Sequence, residues 1–393
     1  MASSDFLFIH PLLGADDAWS GYRAEPSLAA TDNDLLTRLG SSPLVDEFDH
    51  RLPWFLPATT VPYPAGRLNE RAVFTFPARP RAADAQALQD MEAALRQAHG
   101  KVALLTAPDL PLPATGSWHY LLLAASHARS QPPFKLLGLS SRSMIVATDV
   151  HSHTDRQWFL DNSCSLSTAE FLLARATTPG KADTTRIKLL ELLALIAEDA
   201  DTAALEAVFR QESKLSYSLL RLVNSAALAP ARPITSFSQA INLLGRRQLQ
   251  RWLQLLVYAD PNNGHQPNPL LQKAAARGHL LESLAPLLTP RPAVENLEDA
   301  AFMVGSFSLL HVLLNMSMTE IMQQLPLAAE VASALTEHAG PLGELLSAVD
   351  SAEARDLANA AGKLQKLGIA GERHLDSQLA AFSWAAKIRS TGG

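Results

Sequence analysis

Three side chains within five residues, His151, His153 and Asp155, have the types and spacing to hold metal, and they directly follow the apolar run Met144–Ala147. Two imidazoles one residue apart at a strand end can converge on one Zn²⁺, leaving the carboxylate for a second ion. The next residue is Arg156, which cannot be a ligand. Histidines in a surface loop near Asp149 and Asp155 are more commonly solvated polar side chains than ligands, and the residues favour that reading. The single nucleophile of note, Cys164, sits in Asn162-Ser-Cys-Ser-Leu166 with no basic neighbour to lower its thiol pKa. There is no Walker A loop, no dinucleotide fingerprint and no Gly-x-Ser-x-Gly elbow. Arg246, Arg247 and Arg251 make the best basic patch in the chain. The competing reading is a solvated helix face beside a core stripe.

Two kinds of element must position these residues. In the N-terminal half, short apolar runs alternate with turn residues. Phe6–Ile9, Val73–Phe76, Val102–Thr106, Tyr120–Ala124, Leu136–Leu139 and Met144–Ala147 are expected strands, and residues 83–99 are an expected helix. Alternation of strand and helix implies an α/β sheet or barrel with parallel strands. The proline-rich stretch Pro53–Pro64, with Gly66–Asn69, reads as an irregular insertion. The C-terminal half reads as all-α. Leu215, Leu219, Leu222 and Ala226 form one helix stripe; Ser236-Phe-Ser-Gln239 is a capping box, and Gly245 falls where a left-handed residue ends a helix. Leu249, Trp252, Leu253, Leu256 and Val257 continue the rhythm, and residues 356–387 are expected to be helical, held down by Trp384.

A length of 393 residues suits two domains, or three, and 47% hydrophobic residues suit packed cores. With 33 basic against 39 acidic side chains the charge is nearly balanced, which removes the electrostatic term behind most nucleic-acid affinity. One cysteine excludes an internal disulfide and fits a reducing compartment. The run at residues 5–13 lacks the basic flank of a signal peptide, and no apolar run approaches the ~18 residues of a membrane helix. The expected location is the cytoplasm, without membrane contact.

The string Leu219-Leu-Arg-Leu-Val-Asn-Ser225, then Ile234-Thr-Ser-Phe-Ser-Gln-Ala-Ile241 and Leu243-Leu-Gly245, resembles the HDOD domain, a helical signalling module related to the HD metal phosphohydrolases. Gly305, Pro326-Leu327 and Gly340-Pro-Leu-Gly343 continue the likeness, which covers roughly Thr184 to Ala381. Set against the HD family, Ser308 and Leu309 stand where a His-Asp doublet would hold metal. A leucine offers no lone pair, and His311 has no neighbouring carboxylate. The resemblance therefore implies a helical domain without phosphohydrolase chemistry.

His10-Pro-Leu-Leu-Gly-Ala-Asp-Asp17, followed by Gly21-Tyr-Arg-Ala24, resembles the opening of an EAL domain, the barrel that hydrolyses cyclic di-GMP. In that family the tyrosine precedes a metal-binding glutamate. Arg23 stands there instead, and a cation cannot ligate Mg²⁺ or Mn²⁺. About 180 residues is also short for a barrel of the usual ~250. The two resemblances together imply a degenerate, truncated TIM-barrel-like EAL domain (residues 1–178) followed by an HDOD domain (179–393), an order similar to that of a class of bacterial signalling proteins. They imply a catalytically inactive scaffold in or near cyclic di-GMP signalling, without a cofactor, whose partners are signalling proteins. The alternatives are a cyclic di-GMP receptor using Arg23, a weak phosphodiesterase, or a metallohydrolase built on His151, His153 and Asp155. A hinge is expected near 177–181.

Overall fold

The computed structural model describes residues 5–27, 33–162, 164–174, 194–195, 219–220, 223–224, 234, 237–258, 268–325 and 327–388. The hinge expected near 177–181, most of the Leu215 stripe, the capping residue Ser236 and Pro326 lie outside them. The chain divides into two units: the first takes in residues 1–174 with 353–361 and 370–379, and the second takes in 175–352 with 362–369 and 380–393.

In the first unit eight strands close into a barrel in chain order. They are β1 (Leu7–Leu13), β2 (Trp19–Pro26), β3 (Trp54–Pro57), β4 (Ala72–Pro77), β5 (Lys101–Leu105), β6 (Tyr120–Ala124), β7 (Met144–Thr148) and β8 (Leu166–Ser167). From β2 to β8 neighbouring strands run parallel, while β1 is antiparallel to both β2 and β8. The barrel closes although the N-terminal half is short for one. The saving comes from the outer layer, where α1 (Asp34–Ser41), α2 (Ala85–Gln97), α3 (Ala125–Arg129), α4 (Pro133–Ser140) and α5 (His153–Asp161) replace the usual ring of eight long helices. Pro53–Pro64 is not an insertion, because it begins with β3. Leu136–Leu139 lies in α4 rather than a strand: Pro132-Pro133 presets a helix start, and Leu136 and Leu139, three apart, bury one face.

Alternation along the strands sets the barrel interior in layers. Leu12, Phe55, Val73, Ala103, Tyr120, Leu122, Val146 and Leu166 form one apolar cluster. Two residues further along the strands, on the same inward faces, come His10, Arg23's cross-strand partner, and Thr75 and Thr148. The outward-facing neighbour of Arg23, Tyr22, stacks on Trp54 at 4.7 Å and meets Phe48 edge-on at 4.9 Å.

The second unit is helical. Phe237–Leu256 is broken at Gly245, whose φ of 74° is the left-handed value expected there. Pro269–Leu284, Leu297–Phe307, Ala329–Glu337, Gly340–Glu353 and Leu357–Lys366 follow, and Gly371–Lys387 contributes residues from both units. Trp384 packs against Trp252, His279 and Phe302, as expected. The Asn224 side chain explains one motif position: its carbonyl accepts from the Ile234 amide and its NH₂ donates to the Ile234 carbonyl, both at 2.7 Å.

Candidate functional site at the barrel mouth

In an α/β barrel the strand carboxyl ends carry the chemistry. Here that face holds an ion-pair network. Arg23 and Glu25 project from the same face of β2 and pair at 2.7 Å. His10 Nε2 lies 3.8 Å from Glu25. Asp149, just past β7 in a left-handed conformation (φ 58°), and Glu170, just past β8, add negative potential around Arg23. Arg355, from the segment 353–361, completes the set: its Nη1 contacts Glu25 and its Nε donates to Glu170 Oε1 at 3.1 Å. Its own backbone is left-handed, with φ 66°, a strained value for arginine that marks a position held by its contacts. Burial pushes both guanidinium groups down, Arg23 to about 10 and Arg355 to about 9, the latter also through Arg23; both stay charged at neutral pH. Two cations and two carboxylates neutralise one another at this mouth. Thr75 Oγ1 and His127 Nε2 are among the buried polar atoms that have no hydrogen bond among the described residues.

The segment 370–379 also belongs to this unit. Gln378 substitutes for a strand: its Oε1 accepts from the Ile9 amide at 3.1 Å and its Nε2 donates to the Leu7 carbonyl at 2.9 Å. One turn earlier, His374 lies edge-on to Phe6 and Phe8. No feature of the sequence pointed to Arg355, Gln378 or His374, because each is set by a partner more than 180 residues away.

His151, His153 and Asp155 do not converge. His153 opens α5 and packs against Phe171, while Ser152 caps the helix by accepting from the Asp155 amide at 3.0 Å. The Asp155 carboxylate pairs with Arg129 at 2.5 Å and accepts from the Ser152 hydroxyl at 2.8 Å. Arg156 is a structural bolt, buried and bonded to Ser167 Oγ, Asp17 and the Gly14 carbonyl, which ties the β1–β2 turn to β8. Among the described residues no group of three or more His, Cys, Asp or Glu side chains is placed to hold a metal ion. The Cys164 thiol is pushed up to about 12 by burial, against the opposing pull of Arg156.

In the helical unit, Arg247 binds Asp299 at 2.7 Å and Glu298 at 3.0 Å. Arg251 reaches Asp299 and Glu282 and lies over the Phe302 ring. Two of the three arginines in the basic patch are thus committed to internal pairs; the side chain of Arg246 lies outside the described set. At the doublet position, Ser308 Oγ accepts from Arg277 at 2.8 Å and Leu309 is fully buried. Arg277, itself buried, pairs with Asp350 at 2.8 Å, and His338 Nε2 stands 3.0 Å from the other Asp350 oxygen. Burial alone would raise the Asp350 carboxyl, but Arg277 and His338 outweigh it and hold it at about 2. Gly305 is required by close helix packing: a Cβ there would lie 2.5 Å from the Arg277 carbonyl oxygen. Gly305→Ala is expected to cost about 2–3 kcal/mol as overpacking against backbone, read as lost native-state hydrogen-exchange protection of the Leu297–Phe307 amides.

A family model for the HDOD domain matches residues 183–275, much of which lies outside the described set. A closed barrel precedes the matched segment in the chain. The cyclic di-GMP phosphodiesterase CdgJ of Vibrio cholerae is 30% identical over 190 residues, 48% of this chain and 43% of that protein. The uncharacterized protein YuxH of Bacillus subtilis is 34% identical over 149 residues, 37% of this chain and 35% of that protein. The chain thus matches less than half the length of either relative. The crystal structure of the EAL-like domain protein YdiV gives a TM-score of 0.34 at 14% identity, covering 42% of this chain and 90% of that one. Among the described residues no helix is long and apolar enough to cross a membrane.

Proposed function

We propose that the chain is a non-catalytic signalling protein in or near cyclic di-GMP signalling, whose barrel is a plugged relative of the phosphodiesterase fold and whose output is recognition of signalling proteins. The observation that carries this reading is the Arg23–Glu25–Arg355–Glu170 network. A divalent cation needs several unshared oxygen ligands, and here the mouth carboxylates are already bound to two guanidinium groups that would repel the ion. Amphipathic helix faces dock partners without catalytic residues, so the helical unit is the proposed output surface. Purified full-length protein should release no linear product from cyclic di-GMP with Mg²⁺ or Mn²⁺ supplied. Turnover that disappears in Glu25→Gln would refute the proposal.

The second reading, a cyclic di-GMP receptor, draws on the orphaned Thr75 and His127 atoms and on an arginine pair at one mouth, since guanidinium groups bind phosphates bidentately. Calorimetry separates the two. A micromolar dissociation constant weakened by Arg23→Ala would establish the receptor, and undetectable heat would leave protein partners as the input.

A further inference from the structure

The opposite end of the barrel, where its parallel strands begin, carries two adjoining cavities. One measures about 460 Å³ and the other about 410 Å³, and both are lined by Tyr120 and Met144. Ligand pockets for small molecules fall within roughly 300–1,000 Å³. The smaller cavity is lined by Lys101, the first residue of β5, by Arg142, and by His119. Most arginines of this unit stand in ion pairs, among them Arg38, Arg51, Arg67, Arg79, Arg96, Arg129 and Arg156. Arg142 and Lys101 have no carboxylate within ion-pair distance among the described residues. His119 Nδ1 accepts from the Val102 amide at 3.1 Å, so its proton resides on Nε2 and the ring is a donor there. Met144 is 42% exposed at the start of a strand, an apolar surface left open to water between the two cavities. Burial raises the Tyr120 phenol above its ordinary value, so it remains a protonated donor.

We infer that this cleft is a binding site for a small phosphorylated molecule with a planar or apolar moiety, such as a nucleoside monophosphate. Lys101, Arg142 and His119 meet the phosphate, and Tyr120 with Met144 receives the rest. Charge-assisted donors to phosphate are the strong kind, and a lysine and an arginine supply a point charge and a fork. The site lies at the end of the barrel away from the Arg23 network and is independent of the function proposed above.

The test is isothermal titration of the full chain with AMP and, separately, with inorganic phosphate. AMP should bind, phosphate should bind more weakly because it makes no use of Tyr120 or Met144, and Lys101→Ala/Arg142→Ala should weaken AMP at least about tenfold. Both residues are exposed, so the double variant keeps its fold, which circular dichroism checks. Arg23→Ala should leave AMP affinity unchanged. Absence of heat at millimolar AMP, equal affinity in the double variant, or dependence on Arg23 in place of Lys101 and Arg142 would each overturn the inference.

Discussion

Arg355→Ala is expected to loosen the barrel mouth by about 3–5 kcal/mol, because it removes one of the two guanidinium groups of a largely buried ion-pair network. Glu170 is 8% exposed and Glu25 20% exposed at the side chain, so water restores little of the lost solvation. Arg23 remains paired with Glu25 at 2.7 Å, so the loss falls chiefly on the Arg355 contact to Glu170. Because the chain has two units, a single unfolding curve is a poor measure. Native-state hydrogen exchange reads the effect locally: amides of β1, β2 and β8 should lose protection, while those of Leu297–Phe307 should not. Adding Glu170→Gln to the variant should recover part of the loss, since a neutral amide costs less to bury without its Arg355 partner. Protection in Arg355→Ala alone that matches the parent would show that the network is solvated and carries no stability.

The same residues explain what the sequence made legible. Arg23 was singled out only by the resemblance of Gly21-Tyr22-Arg23-Ala24 to a family motif, and the alternation of β2 sets Tyr22 out against Trp54 and Arg23 in. The helical rhythm of residues 249–257 was legible for a similar reason, since it needs only one element's own periodicity. β3 was hidden by prolines at both ends, and β8 has only two residues, too few for any pattern to register. Leu136–Leu139 misled because a short apolar run fits a strand or one buried helix face equally well. Asp155 looked like a ligand, but an acid three residues into a helix is what an N-cap serine selects. Arg355, Gln378 and His374 leave no local trace, because their roles exist only once distant segments meet.

Acid should destabilise the first unit well above the pH at which its carboxylates protonate, and His374 is the reason. Burial pushes its pKa from the ordinary 6.5 down to about 3. Its Nδ1 accepts from Gln378 Nε2 at 3.1 Å, and that same amide donates to the Leu7 carbonyl while its oxygen accepts from Ile9. Those backbone partners fix the amide's orientation, so a proton on Nδ1 would face a donor. Between pH 6.5 and 3 the unfolded chain therefore takes up a proton that the folded chain refuses. Stability falls as pH falls, by about 1.4 kcal/mol per pH unit, or roughly 2 kcal/mol from about pH 6.5 to 5. His127, also lowered by burial, adds to the slope with the same sign. Asp350 has the opposite chemistry: its stabilisation is complete above its ordinary 3.8 and is lost only as pH falls toward about 2, outside this window. His374→Phe keeps a ring beside Phe6 and Phe8 and cannot titrate, so its exchange protection in β1 should fall clearly less steeply between about pH 6.5 and 5 than in the parent, with the His127 contribution remaining, after correction for intrinsic exchange rates. Gln378→Leu separates the hydrogen bonds from the titration. It leaves the Ile9 amide and the Leu7 carbonyl unsatisfied at about 1–3 kcal/mol each, at every pH. An unchanged slope in His374→Phe would show that another group carries the acid response and that His374 is solvated enough to titrate normally.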